Sequence, residues 1–309
     1  MPGANPVIVP ASVGFAGDRF STFLCLPESM PKPKHDPSRR NMADRADKFQ
    51  LYETSVQMPD HEVDFFDQAF QESRGRTPLS LAEDFCGTFA VSCAWVFSHP
   101  KRTAVGIDTC ATTLQWGRDN NLTKLNDEQQ KRVILKEQDV RVGDPAKVDL
   151  LAVQNFSFYF FKKRRELIDY FTAARLRLVD DGIMVIDMMG GSECRIEGLT
   201  HKQTIQEGKG GFSYVWKQVS YNPINSAACC SISFTFPDGS RINDAFVYHW
   251  RLWTIAEVRE ILAEAGFRKT HVYWAAAEDS PDADIDIGWR RREKAPSDAS
   301  WTCYLVAER

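Results

Sequence analysis

The residues of this chain best suited to chemistry are acids that close short apolar runs. Thr103-Ala-Val-Gly-Ile-Asp108 reads as a strand ending in a carboxylate. It stands about 20 residues after the single glycine of Glu83-Asp-Phe-Cys-Gly-Thr88, a spacing that suits an acid on a ribose. Val133-Ile-Leu-Lys-Glu-Gln-Asp139 repeats the pattern. Ligands bind where parallel strands end at their carboxyl edge, so Asp139 is a second candidate, with a turn cap before Gly143 as its plain alternative. Groups able to move a proton are scarcer. His249 and Tyr52 are the candidates if a base is needed. The 8 cysteines show no paired C-x-x-C spacing, so a metal site is not expected and buried, reduced thiols are.

The elements that must position these groups alternate. Leu79 to Asp84 is a short strand, Gly87 turns the chain, and an apolar segment through Trp95 to Phe97 is a helix. A dinucleotide fold shares this layout but needs G-x-G-x-x-G so that a pyrophosphate can approach the backbone. Here Gly87 stands alone between Phe85 and Phe89, whose rings would obstruct a pyrophosphate.

On these residues the chain resembles a class I S-adenosylmethionine (SAM) dependent methyltransferase, a doubly wound α/β fold on a mostly parallel seven-stranded sheet. Glu83 to Thr88 resembles the family's glycine-rich first motif, with phenylalanines at the usual positions of the other glycines. The resemblance implies that Glu83, Phe85, Cys86 and Gly87 shape the cofactor turn, that Asp108 and Thr109 meet the ribose, and that Asp139 and Val140 meet adenine. Asn155-Phe-Ser-Phe-Tyr-Phe-Phe161 follows the apolar fourth strand and matches the motif that passes the reactive methyl. Asn155, Phe156 and Tyr159 are pocket candidates there, because a sulfonium is drawn to π-faces. The other phenylalanines of the run read as core.

Length and charge set the remaining bounds. A chain of 309 residues allows one large α/β domain with additions. A net charge of −4 from 38 basic and 42 acidic residues gives no pull towards nucleic acid or anionic membrane. No apolar stretch approaches the ~20 residues of a membrane span, and no signal peptide is visible. Residues 1–40 are proline-rich and read as a flexible segment. Residues 41–78 read as two helices, Asn41 to Gln57 and His61 to Ser73, placed like the family's lid, with Lys48, Tyr52 and Glu53 as lid candidates. The methyltransferase domain then covers 79–309. Lys162-Lys-Arg-Arg165 reads as a solvated face opening a helix to Val179, and Asp180-Asp-Gly182 as a turn into a fifth strand, Ile183 to Met188.

Between about 190 and 253 the rhythm becomes that of an antiparallel cap with strands at Tyr214–Tyr221, Cys229–Phe236 and Asp244–Leu252. Trp216, Tyr248, Trp250 and Arg251 are acceptor-pocket candidates. Alternation pairs Tyr248 with Trp250 and His249 with Arg251, and parity leaves open which pair faces inward. Thr254 and Glu257 form a capping box for a helix that Gly266 stops. Two more strands, Lys269–Trp274 and Trp301–Ala307, finish the sheet. The expected function is metal-independent methyl transfer from SAM to a small-molecule acceptor by a cytoplasmic enzyme, with no nucleic-acid or membrane partner. An RNA or protein methyltransferase and a non-catalytic SAM-fold binding protein are the alternatives.

Overall fold

The computed structural model describes residues 40–143, 146–206, 211–275 and 288–309. The reading of the N-terminal 1–40 segment falls outside them but for Arg40, as does most of the expected 278–294 loop. The segment before the main sheet, expected to be a lid, comprises α1 (Met42–Arg45), α2 (Lys48–Val56) and α3 (Pro59–Arg74). The single helix expected over 41–57 is broken because Asp47 caps a new one: its carboxylate accepts from the amides of Phe49 at 2.8 Å and Gln50 at 3.1 Å. Pro59 opens α3, and Gly75, at φ 68°, closes it in the left-handed region.

The main sheet follows as β1 (Ser80–Asp84), α4 (Ala90–Ser98), β2 (Thr103–Asp108), α5 (Ala111–Asn120), α6 (Asp127–Gln130), β3 (Val133–Glu137), β4 (Val148–Val153), α7 (Arg164–Leu176) and β5 (Leu178–Gly190). The cap comprises β6 (Thr200–Ile205), β7 (Phe212–Asn222), β8 (Ala227–Thr235) and β9 (Arg241–Arg251). The chain ends with α8 (Ile255–Glu264), β10 (Lys269–Ala275), β11 (Trp289–Arg291) and β12 (Trp301–Glu308). The sheet has 8 strands in the order β11-β10-β12-β5-β4-β1-β2-β3, one more than expected, because β11 adds a short edge strand. β5, β4, β1, β2 and β3 are mutually parallel, while β12, β10 and β11 join antiparallel. The strand order reverses between β1 and β4, so the crevice outside their carboxyl ends is where a ligand belongs.

All of β4 is buried, as a strand covered on both faces must be. One core lies under α3 and α4, the other under α7, α8 and the cap. The turn expected at Asp180-Asp-Gly182 is instead part of β5, which starts at Leu178 and absorbs the irregularity as a register shift opposite Val148 and Leu150. The cap is a separate antiparallel meander of 4 strands, β6-β7-β8-β9. Its extra strand, β6, was invisible to hydrophobic alternation because it is an edge strand with mostly exposed, polar residues. α8 carries the expected capping box, Thr254 with Glu257.

Candidate functional site

The turn after β1 keeps a glycine-type backbone with one glycine. Phe85, Gly87 and Phe89 lie at φ 58°, 53° and 47°, all left-handed. A side chain in that region costs about 1–2 kcal/mol per residue, so the surroundings must enforce it. The Cys86 amide donates to the Ile107 carbonyl (3.0 Å) and the Phe89 amide to the Cys86 carbonyl (2.7 Å). Asp108 completes the frame, one carboxylate oxygen accepting the Gly87 amide at 2.9 Å and the other the Cys110 amide at 2.8 Å. Desolvation raises the Asp108 carboxyl above its ordinary range, opposed by the amides of Cys110, Gly87 and half-buried Thr109. The Phe89 ring packs on α5 at Gly117, where a Cβ would sit 2.5 Å from the ring and from the Thr88 carbonyl oxygen.

Glu83 and Asp84, at the end of β1, are both buried and bound to partners within the fold. Glu83 accepts the Ser92 amide at 2.9 Å and the Ser92 hydroxyl, so it anchors the first turn of α4. Its carboxyl is pushed up to about 8 by burial. Expected to shape the cofactor turn, Glu83 ties the end of β1 to the helix that follows that turn. Asp84 is buried against Arg177 (2.6 and 2.8 Å) and the Tyr170 hydroxyl (2.9 Å). Burial drives the Cys86 thiol far up, which leaves it inert.

α2 reaches this turn through Glu53. Its carboxylate accepts the Thr88 hydroxyl at 2.5 Å and the Asn121 amide group at 2.6 Å, and Asn121 donates also to the Thr88 carbonyl at 3.0 Å. Lys48 lies over the Phe49 and Phe246 rings at 5.1 and 4.9 Å, holding α2 to the cap. Tyr52 is buried, 4.9 Å from Phe246 between ring centroids, and its hydroxyl is turned to that of Tyr248.

At the end of β4 the backbone turns through two more left-handed residues, Asn155 (φ 63°) and Phe156 (φ 58°). Both are buried. Asp187, inside β5, accepts their amides at 2.6 and 2.8 Å. Burial pushes its carboxyl up to about 7, while the amides of Phe156 and Asn155 draw it down. Sequence reading passed over Asp187, although an acid within the otherwise apolar Ile183–Met189 run was the available signal. Phe156 lies 6.2 Å from Tyr159 and 6.3 Å from Trp250, and the Tyr159 hydroxyl donates to the Met189 carbonyl at 2.7 Å. At the end of β3, Val140 is buried, and the Asp139 carboxylate is bound to Arg141 at 2.6 Å, which lowers its carboxyl below the ordinary value.

The cap resolves the parity of β9. Tyr248 and Trp250 face inward and stack at 4.7 Å, each 6.0 Å from Trp216. His249, the expected base candidate, is exposed on the opposite face from these rings. Arg251, an expected acceptor-pocket residue, lies 3.6 Å over the Trp253 ring and donates to the Lys162 carbonyl at 3.1 Å. One edge thus gathers Cys86, Gly87, Asp108 and Thr109 with Glu53 of α2. Asn155, Phe156, Tyr159, Trp216 and Trp250 form the wall beneath the cap, joined by Tyr52 and Tyr248. A cavity of about 300 Å³ opens beside that wall, at the carboxyl end of β5. Among the described residues no group of His, Cys, Asp and Glu is placed to hold a metal, and no helix is long and apolar enough to cross a membrane.

Solved structures share this architecture. An amino pentose methyltransferase from Micromonospora echinaspora, solved with SAM bound, matches with a TM-score of 0.61 and 15% identity over 89% of this chain and 100% of its own. DesVI of Streptomyces venezuelae matches with a TM-score of 0.61 and 16% identity, over 87% and 98%. The sugar N-methyltransferase KedS8 from Streptoalloteichus matches with a TM-score of 0.58 and 15% identity, over 91% and 98%. No protein-family model matches the chain, and no curated protein does. The chain has the class I methyltransferase fold with an antiparallel cap.

Proposed function

We propose that this chain binds SAM across the β1 turn and transfers its methyl group to a small-molecule acceptor held beneath the cap. The observation that carries the reading is the frame of Asp108 around Gly87, at the edge where the strand order reverses. The donor set fits a nucleoside without a pyrophosphate. Phe85 and Phe89 occupy the turn where phosphates would need bare backbone. A carboxylate has about four lone-pair sites, so Asp108 can serve the turn and still accept ribose hydroxyls.

SAM, when bound, supplies a methyl already activated on a sulfonium, a chemistry that calls for no metal. The chain's part is to hold, orient and exclude water. Backbone at Cys86 and Gly87 faces the cofactor, Asp108 and Thr109 hold the ribose, and Val140 with Asp139 flanks adenine. Asn155 and Phe156 border the methyl end, and Trp216, Tyr248 and Trp250 keep the space above it dry. Burial holds the Tyr248 phenol well above its ordinary range, so it is a neutral hydrogen-bonding group and a poor base. With His249 outside, the arrangement suits an amine, which sheds its proton to water before attack, better than a hydroxyl that needs a base. The amino pentose and sugar N-methyltransferases that share the fold support an amine-bearing, sugar-like acceptor.

The basic run at 162–165 gives no support to a nucleic-acid substrate, since Lys163 pairs with Glu166, Arg164 with Glu264 and Arg165 with Asp169. The free state of the described cysteines suits a reducing, cytoplasmic setting. Calorimetry with S-adenosylhomocysteine (SAH) tests the cofactor half: the wild type should bind, nicotinamide dinucleotides should not, and Asp108→Ala should lose about 1.5–3 kcal/mol. Unchanged affinity in the folded variant would sink the assignment. Transfer of labelled methyl from SAM to amino sugars, and not to their hydroxyl analogues, tests the acceptor half.

A further inference from the structure

The cavity of about 300 Å³ at the carboxyl end of β5 lies apart from the cofactor turn and has walls of a definite kind. Met189 forms its floor, Leu252, Trp253 and Trp301 its sides, and Arg195 and Ala256 stand at its rim. It continues the inner face of β9. Side chains two apart on a strand share a face, so Phe246, Tyr248 and Trp250 form one row along β9, and Leu252, just past the end of that strand, lines the cavity. The Met189 carbonyl in the floor holds the Tyr159 hydroxyl, and Tyr159 packs at 5.8 Å on Trp250. The cavity therefore opens past the end of the row, whose last ring meets Phe156.

Its charge is as uneven as its shape. The interior is apolar and aromatic, whereas Arg195 is exposed at the rim and makes no ion pair among the described residues. The acids beside it are engaged elsewhere: Glu193 faces His201 at 3.3 Å, and Glu197 accepts the Tyr221 amide at 2.9 Å. The volume is that of a small ligand pocket, whose apolar walls bind and whose few polar groups orient.

We infer that this cavity binds a ring-bearing apolar moiety carrying one anionic group, and that this moiety is the non-reacting body of the acceptor. The second clause rests on the methyltransferase reading; the first does not. Trp253, one face of which carries the Arg251 guanidinium at 3.6 Å, and Trp301, packed on Trp274 at 5.1 Å, border the apolar body, and Arg195 takes the anion.

The probe is 1-anilinonaphthalene-8-sulfonate, a fused aromatic ring system bearing a sulfonate, titrated into the full chain with and without saturating SAH. One equivalent should bind with energy transfer from tryptophan, and SAH affinity should stay within about threefold, since the two sites do not overlap. Arg195→Glu should weaken the probe about tenfold, because like charges repel, and should leave neutral N-phenyl-1-naphthylamine within about threefold. Ala256→Trp, at an exposed position of the rim, should block both probes at unchanged melting temperature. Failure of the probe to bind, insensitivity to both substitutions, or displacement of the probe by SAH would each overturn the site. Absence of SAH binding with the probe results intact would instead fail the methyltransferase reading alone.

Discussion

Asp187 holds Phe156 in a left-handed backbone conformation: the carboxylate accepts the Phe156 amide at 2.8 Å while Phe156 sits at φ 58° with its ring fully buried. The same carboxylate takes the Asn155 amide at 2.6 Å, so one side chain of β5 shapes the turn at the end of β4. Asp187→Asn keeps a single accepting oxygen and leaves one buried amide without its partner. The expected loss is about 1–3 kcal/mol in urea unfolding, the cost of such an orphan. SAH affinity should fall with it, since the turn borders the proposed methyl site. Wild-type stability in the variant would show that the turn holds itself.

Phe85 and Phe89 share a left-handed backbone but differ in burial, so replacing each with glycine separates strain from packing. Phe85 is half-buried, near Phe161 and Tyr170 at 6.0 and 5.9 Å. Phe85→Gly should therefore stay within about 1 kcal/mol of the wild type, because strain relief offsets the ring it loses. Phe89 is fully buried against α5, and Phe89→Gly should cost about 3–5 kcal/mol. Chemical denaturation measures both. A loss of several kcal/mol in Phe85→Gly would mean that no strain relief offsets the lost ring.

Stability should fall as pH rises through neutrality. Burial pushes the carboxyls of Glu62 and Glu83 up to about 8 and that of Asp187 up to about 7. Each keeps its proton in the native state over a range where the unfolded chain has lost it. The native state then binds more protons than the unfolded one, and stability drops with rising pH from about 4 to about 8. The melting temperature should be higher at about pH 5.5 than at about pH 8.5, and Glu62→Gln should flatten part of the slope. A rising profile across that window would refute the assignment.

Glu53 ties α2 to the turn after β1, which we propose holds the cofactor, so its removal should weaken SAH binding more than the fold. Glu53→Ala frees the Thr88 hydroxyl and the Asn121 amide group, contacts of 2.5 and 2.6 Å to a charged acceptor. SAH should leave faster in stopped-flow release, with an affinity loss on the scale of about 1.5–3 kcal/mol for such bonds. An unchanged release rate would mean that the lid does not gate the cofactor.

Much of the fold is written locally in the chain. Apolar runs closed by acids mark β1, β2 and β3, the unbroken apolar run of β4 marks a strand covered on both faces, and Thr254 with Glu257 marks the start of α8. These features depend on neighbours a few residues away, through side-chain period and capping bonds, so reading along the chain finds them. What the tertiary structure decided are relations between distant residues. Glycine is the sequence sign of a left-handed turn, so nothing local announced that Phe85, Phe89 and Phe156 would be held there by β2, α5 and Asp187. Alternation paired His249 with Arg251, but only packing against Trp216 and Phe156 turned Tyr248 and Trp250 inward and left His249 exposed. Glu83 is legible as the acid that closes β1, but only the fold shows that it accepts the Ser92 amide, because a buried acid takes the nearest amide that burial leaves without water.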